Sequence, residues 1–69
     1  MNQYKVEWSY LDVSNRRIHQ IDVFTTFTAR DAVREVREEY QDLTDLRIED
    51  VWKDGGDSWD HIDRDWWEE

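Results

Sequence analysis

The chain has 69 residues, of which 18 are acidic and 9 basic, and its formal net charge is -9. A chain of this length holds one small hydrophobic core. It contains no cysteine, which excludes disulfides, thiolate catalysis and cysteine-bound zinc. A strongly acidic surface repels nucleic acid and anionic membranes, so we expect direct binding to neither.

The first part of the chain predicts two strands. Large apolar and polar side chains alternate from Tyr4 to Tyr10, the pattern of a half-buried strand. Turn-forming residues follow at 12–15. A second strand is predicted from about Arg17 to Thr25, with Ile21 and Val23 on one face.

A helix and a third strand come next. Thr28 is a candidate N-cap with Asp31 at the third helical position, a near match to a capping box. Apolar residues then recur at helical spacing as far as Tyr40. A third strand is predicted from Leu46 to Trp52, with a change of parity near Glu49. The expected fold is therefore α+β, a three-stranded, mostly antiparallel sheet in ββαβ order with one helix on a face and the first strand in the centre.

Residues 54–69 are predicted to form a separate C-terminal element. The only two glycines lie at 55 and 56, which places a break after a ββαβ domain of residues 1–53. Trp59, Ile62 and Trp66 then recur at helical spacing. The segment is expected to be a short acidic helix or a tail that packs on the domain or extends from it.

The acidic charge is concentrated in the second half of the chain. Residues 1–34 carry a net charge of +1 and residues 35–69 a net charge of -10. A helix over 54–69 would be about 24 Å long, with one carboxylate per roughly 3.4 Å, the charge spacing of a single DNA strand. This spacing favours a basic nucleic-acid-binding protein as partner. A solvated tail, or adaptation to high salt given only two lysines, is the alternative.

Two adjacent tryptophans, Trp66 and Trp67, lie within this acidic segment. They cannot both face inward on one helix or strand, so one is expected to be an exposed anchor for a partner. Docking on the protein's own sheet, or a homodimer contact, is the alternative for the pair. The predicted partner-binding residues are Asp54, Asp57, Asp60, Asp63, Asp65, Trp66, Trp67, Glu68 and Glu69.

Neither catalysis nor cofactor binding is predicted. The two histidines, His19 and His61, lack neighbours that would make a nucleophile and base, and no phosphate-binding loop is present. Asp50, Asp54 and Gly55 match three positions of a calcium loop. However, Trp52 and His61 occupy two positions that need oxygen ligands, so no metal site is expected.

Small size, acidity in one half, absence of cysteine and a sheet-plus-helix order together resemble small phage-encoded inhibitors of host defence or repair. That class includes anti-CRISPR proteins, anti-restriction DNA mimics and uracil-DNA glycosylase inhibitors. The resemblance implies an inhibitor that blocks the basic nucleic-acid-binding site of a host protein in the host cytoplasm.

No apolar run exceeds two residues, so a membrane span is not predicted. A structural or oligomerising module whose acidity serves solubility is the alternative function.

Overall fold

The computed structural model describes residues 1–68 as a four-stranded antiparallel sheet with one helix. The elements in chain order are β1 (Asn2–Leu11), β2 (Arg17–Thr26), α1 (Ala29–Glu39), β3 (Thr44–Asp54), β4 (Trp59–Ile62) and a 3-10 turn (Arg64–Trp66). The strand order across the sheet is β2-β1-β3-β4. The α+β class and the interior position of β1 are confirmed, whereas the predicted number of three strands is wrong.

Strands β1 and β2 form a long regular hairpin. The Asp12 carboxylate accepts hydrogen bonds from the backbone N–H groups of Ser14 (2.8 Å) and Arg16 (2.9 Å). Asn15 adopts the left-handed conformation, with φ of 62°, which asparagine tolerates better than most residues. Ten residue pairs then follow without a register shift. The hairpin is therefore an unbroken ladder along its whole length.

The pairing of β1 with β3 contains the irregularity that the sequence predicted. The register shifts between Glu7 and Trp8, so that Glu49 is an extra residue on β3. Its carboxylate accepts a hydrogen bond from the buried Ser9 hydroxyl at 2.6 Å. A bulge of this kind lets β3 present apolar residues to the core on both sides of the parity change.

Helix α1 covers one face of the sheet and forms the core with it. Thr28 caps the helix, since its hydroxyl accepts a hydrogen bond from the Asp31 N–H at 3.1 Å. This confirms the predicted start. The buried apolar residues are Tyr4, Val6, Trp8, Ala29, Ala32, Val33, Val36, Ile48, Val51 and Trp67. The opposite face of the sheet, which we call the open face, has no helix over it among residues 1–68.

Within residues 54–68, the C-terminal segment forms a strand and a 3-10 turn in place of the predicted α-helix or tail. The chain reverses after β3, where the Gly55 N–H donates to the Ser58 carbonyl oxygen (2.8 Å) and Gly56 has φ of 96°. Strand β4 then pairs with β3. This pairing provides hydrogen-bond partners for the backbone N–H and C=O groups of the extended segment. Trp59 and Ile62 consequently point to opposite faces of the sheet.

No helix within residues 1–68 is long and apolar enough to span a membrane.

Candidate partner-binding surface

The predicted acidic residues lie along one edge of the sheet. Six of them surround β4, all six are exposed, and we call them the acidic edge: Asp54, Asp57, Asp60, Asp63, Asp65 and Glu68. Glu69, the seventh predicted carboxylate, lies outside the described residues. Arg64 is the only arginine or lysine in the sequence between Asp54 and Glu68. The acidic edge therefore carries a strong local negative charge.

The shape of this edge differs from the expected row of charges. An extended strand rises about 3.3 Å per residue and sends successive side chains to opposite faces. Asp60 therefore lies on the helix-covered side, opposite Lys53. The Asp54 carboxylate accepts a hydrogen bond from the Gly56 N–H at 2.8 Å and stabilises the turn. The carboxylates thus follow the outline of a hairpin rather than the axis of a 24 Å helix, and the predicted spacing of about 3.4 Å is wrong.

The two adjacent tryptophans have opposite environments. Trp67 is 2% exposed and is part of the core, whereas Trp66 is 73% exposed. The guanidinium of Arg64 lies 4.9 Å from the centre of the Trp67 ring. The sequence left open whether these indoles dock on the protein's own sheet or contact a partner. Trp67 is buried in the protein's own core, where it lines a small cavity with α1 residues Arg30 and Val33, and Trp66 is left on the surface.

An apolar groove lies beside Trp66, between the start of α1 and the chain that runs from β4 into the 3-10 turn. It has a volume of about 770 Å³. Aromatic and aliphatic residues form much of it, namely Tyr4, Phe27, Ala29, Ile62 and Trp66, and it is bordered by the charged residues Arg30, Lys53, Asp63 and Asp65 and by His61. Three of the predicted partner-binding residues are therefore brought together at one concave surface, and the remaining described ones are not among its lining residues.

Phe27 is the main residue of the groove that the sequence did not indicate. It lies immediately before the Thr28 cap, where an apolar side chain often packs against the first turns of the helix. Here Phe27 is instead 70% exposed. An aromatic residue directly before a capping box is the sequence signal that could have drawn attention to it.

Contacts on the open face connect β4 to the rest of the sheet. The Lys5 ammonium lies 4.6 Å from the centre of the Trp52 ring and 5.1 Å from that of Trp59. His61 Nε2 lies 2.8 Å from an Asp50 carboxylate oxygen, and its ring contacts Trp52 edge-on at 5.8 Å. Side chains of β1, β3 and β4 are thereby joined across this face.

The carboxylates do not assemble into a metal centre. Within residues 1–68, no group of three or more aspartate, glutamate, histidine or cysteine side chains is arranged to hold a metal ion. Asp50 and Asp54, the two carboxylates of the calcium-loop pattern, are respectively paired with His61 and bonded to the Gly56 N–H. The chemistry of this surface is therefore that of charge and apolar contact.

Comparison with known proteins gives no relative on which to rest a function. No family model matches the chain, and neither a curated protein nor a solved structure is found to be similar to it. The acidic edge and the groove are therefore the features from which a function can be inferred.

Proposed function

We propose that this chain is an acidic binding protein that occupies the basic nucleic-acid-binding surface of a partner protein. The observation that carries the proposal is the position of an exposed aromatic pair, Trp66 and Phe27, in a groove next to six exposed carboxylates. The resemblance in size and composition to phage inhibitors adds that this partner is a host defence or repair protein, which the chain inhibits by blocking it.

The acidic edge supplies the long-range part of the recognition. Carboxylates on a solvated edge attract a basic surface and speed its encounter, and added salt weakens this attraction. Nucleic acid is excluded from the same basic surface because its phosphates would lie against the carboxylates. The proposed inhibition is therefore competitive and requires no catalysis.

The groove supplies the short-range part. Trp66 offers a large apolar surface with one N–H donor, and tryptophan is among the residues that contribute most at protein interfaces. Asp63 and Asp65 border the same groove, so the anchor is surrounded by charge of the sign that a basic partner prefers. Arg30 and Lys53 also line it and favour a partner that brings an acidic or carbonyl group to this point.

A module whose acidity serves only solubility or high-salt adaptation leads to a different expectation. In that case the position of the carboxylates is unimportant, and neutralising any three exposed acidic residues has the same small effect. If they guide a partner, only those on the acidic edge matter.

Competition with nucleic acid tests the proposal directly. The immobilised chain captures its partner from a host lysate, and the captured protein is then assayed for binding to labelled nucleic acid as the chain is added. The variant Asp57→Asn, Asp60→Asn, Asp63→Asn should associate more slowly and show less dependence on salt. Trp66→Ala should accelerate dissociation about 30-fold, corresponding to about 2 kcal/mol.

Helix α1 offers a matched control. Glu35→Gln, Glu38→Gln, Glu39→Gln removes the same amount of charge from exposed positions that do not line the groove, and it should bind nearly as the parent does. Equal weakening by both triple variants, or a partner that retains its nucleic acid in the complex, contradicts competitive blocking.

A further inference from the structure

Strand β2 forms the other edge of the sheet, and its outer side is unpaired among residues 1–68. It is ten residues long, and its register with β1 is unbroken. Natural edge strands are commonly protected from pairing by lysine, proline, bulges or short length. Strand β2 contains no lysine or proline and no bulge. Its length and regularity leave it open to addition of another strand.

The backbone groups that point outward can be identified from the hairpin turn. The Asp12 N–H donates to the Arg16 carbonyl oxygen at 2.9 Å, so residue 16 faces β1. In an antiparallel ladder this orientation alternates, and the even-numbered residues of β2 therefore bond to β1. The outward N–H and C=O groups belong to Arg17, His19, Ile21, Val23 and Thr25.

Side chains of the same five residues lie on the open face, because residues paired across strands share a face and Val23 lies opposite Lys5 in the register. Ile21 is 58% exposed and Val23 is 52% exposed. An aliphatic pair therefore stands next to the unpaired backbone. Exposed β-branched side chains at a sheet edge are typical of strands that are covered by a partner.

We infer that β2 pairs with β2 of a second copy of this chain, antiparallel about a twofold axis at Ile21, to form a continuous eight-stranded sheet. This inference is independent of the proposed function. The strand order would be β4-β3-β1-β2 followed by its reverse, so both acidic edges would stay free at the outer ends. About ten backbone hydrogen bonds would form between the outward groups.

Charge favours a second copy at this edge. The protein as a whole carries -9, whereas β2 contains one arginine and one aspartate, so two copies repel one another least when they meet here. A strongly basic partner would instead be drawn to the acidic edge. A second copy is thus the occupant that the charge of β2 fits.

The register follows from the position of Asp22, which lies on the helix-covered face. With the axis at Ile21, Asp22 of one copy faces Gln20 of the other, a favourable carboxylate and amide pair. An axis at Asp22 would set two carboxylates opposite each other, which is destabilising. An axis at Gln20 would place Asp22 opposite Ile18. With the Ile21 axis, the Ile21 and Val23 side chains of both copies also form one aliphatic cluster on the open face.

Disulfide trapping tests this register, and the absence of cysteine from the chain makes the experiment clean. Residues in a hydrogen-bonded antiparallel pair have Cα atoms about 5.5 Å apart, within disulfide range. Ile21→Cys alone should therefore form a covalent dimer on mild oxidation. Val23→Cys alone should not, but Val23→Cys mixed with His19→Cys should cross-link.

Sedimentation of the unmodified chain tests the association itself. Its mass should change from 8.6 kDa toward twice that value as protein concentration rises from about 1 µM to about 1 mM. Added salt should favour the dimer, since it screens repulsion between the copies. Ile21→Lys places two ammonium groups at the axis and should abolish the dimer, while Val13→Lys, the same type of change at the fully exposed hairpin turn, should not.

A proline pair separates loss of pairing from loss of folding. Ile21→Pro removes an outward N–H and should yield a folded monomer by circular dichroism. Gln20→Pro removes an N–H bonded to β1 and should unfold the chain. A wild-type chain that remains monomeric up to about 1 mM overturns the inference. So does a dimer that persists in both Ile21→Lys and Ile21→Pro, or one that cross-links equally at Ile21→Cys and Val23→Cys.

Discussion

The two edges of the sheet are opposites in length and in charge. Strand β4 has four residues, and six carboxylates surround it. Strand β2 has ten residues and balances one arginine with one aspartate. Short length and like charge both discourage an edge from pairing with a copy of itself, and only β4 has them.

The contrast shows that the acidic residues of this protein are not distributed evenly between the two edges of the sheet. If the acidic residues served only to keep molecules apart, they would also be expected on β2, because this edge has the longest row of unpaired backbone groups. Instead six exposed carboxylates surround β4, whereas β2 balances one arginine with one aspartate. The two proposals, self-association at β2 and recognition of a basic partner at β4, both depend on this difference in charge.

The largest expected effect comes from the core that both edges share. Val36 lies on the inner face of α1 and is fully buried, and Val36→Asp would place a carboxylate there without a partner, a cost of several kcal/mol in a small domain of marginal stability. Both edges should unfold together, as seen by circular dichroism and by hydrogen exchange in β2 and β4. Cooperative melting at the parent temperature, or protection that survives in one edge alone, would show that the edges do not depend on one core.

Much of this arrangement could be predicted from local patterns. Alternation defined β1, the capping residues defined the start of α1, and a parity change located the bulge at Glu49. Each of these signals depends on neighbours in sequence. The interior position of β1, and with it the edge position of β2, was predicted. Strand β4 was not, because its place depends on pairing between segments that the sequence pattern does not connect, and so the contrast between the two edges was not predicted.

Strand β4 was missed for a physical reason. Trp59, Ile62 and Trp66 have helical spacing, and four residues are too few to establish an alternating pattern. What decides the outcome is the Gly55–Gly56 turn, which returns the chain to the free side of β3. The groove was missed in part for a similar reason, since Phe27 and Trp66 are 39 positions apart and meet only after β4 has formed.

Substitution of the two adjacent tryptophans tests which of them packs in the core and so attaches the end of the acidic edge to the rest of the protein. Trp67→Ala removes a buried indole from the core and should reduce the free energy of unfolding by about 3 to 5 kcal/mol. Trp66→Ala removes an exposed indole and should change it by no more than about 0.5 kcal/mol. Urea denaturation followed by circular dichroism measures both. Equal destabilisation by the two substitutions would mean that the inward and outward positions are assigned incorrectly.

The smallest effect concerns Asp22, the only aspartate of β2, whose carboxylate is hydrogen-bonded within its own protein. The Asp22 carboxylate accepts hydrogen bonds from Trp8 Nε1 (3.0 Å) and the Tyr40 hydroxyl (3.2 Å), and the Trp8 and Tyr40 rings stack at 4.2 Å. Partial burial, and then the charge of Asp22, raise the pKa of Tyr40 above its ordinary value of 10.0. The folded state therefore favours the protonated phenol.

A group whose pKa is raised on folding contributes stability that is complete below its unfolded pKa and is lost as the pH rises through its folded pKa. The parent should thus lose stability above about pH 10, and Tyr40→Phe, which keeps the ring against Trp8 but has no proton to lose, should lose less over the same range. Urea denaturation of both proteins between about pH 8 and pH 11 measures the difference, from which contributions common to the two proteins cancel. If the two curves run parallel through this range, the Tyr40 hydroxyl is not coupled to Asp22, and the carboxylate is held by Trp8 alone.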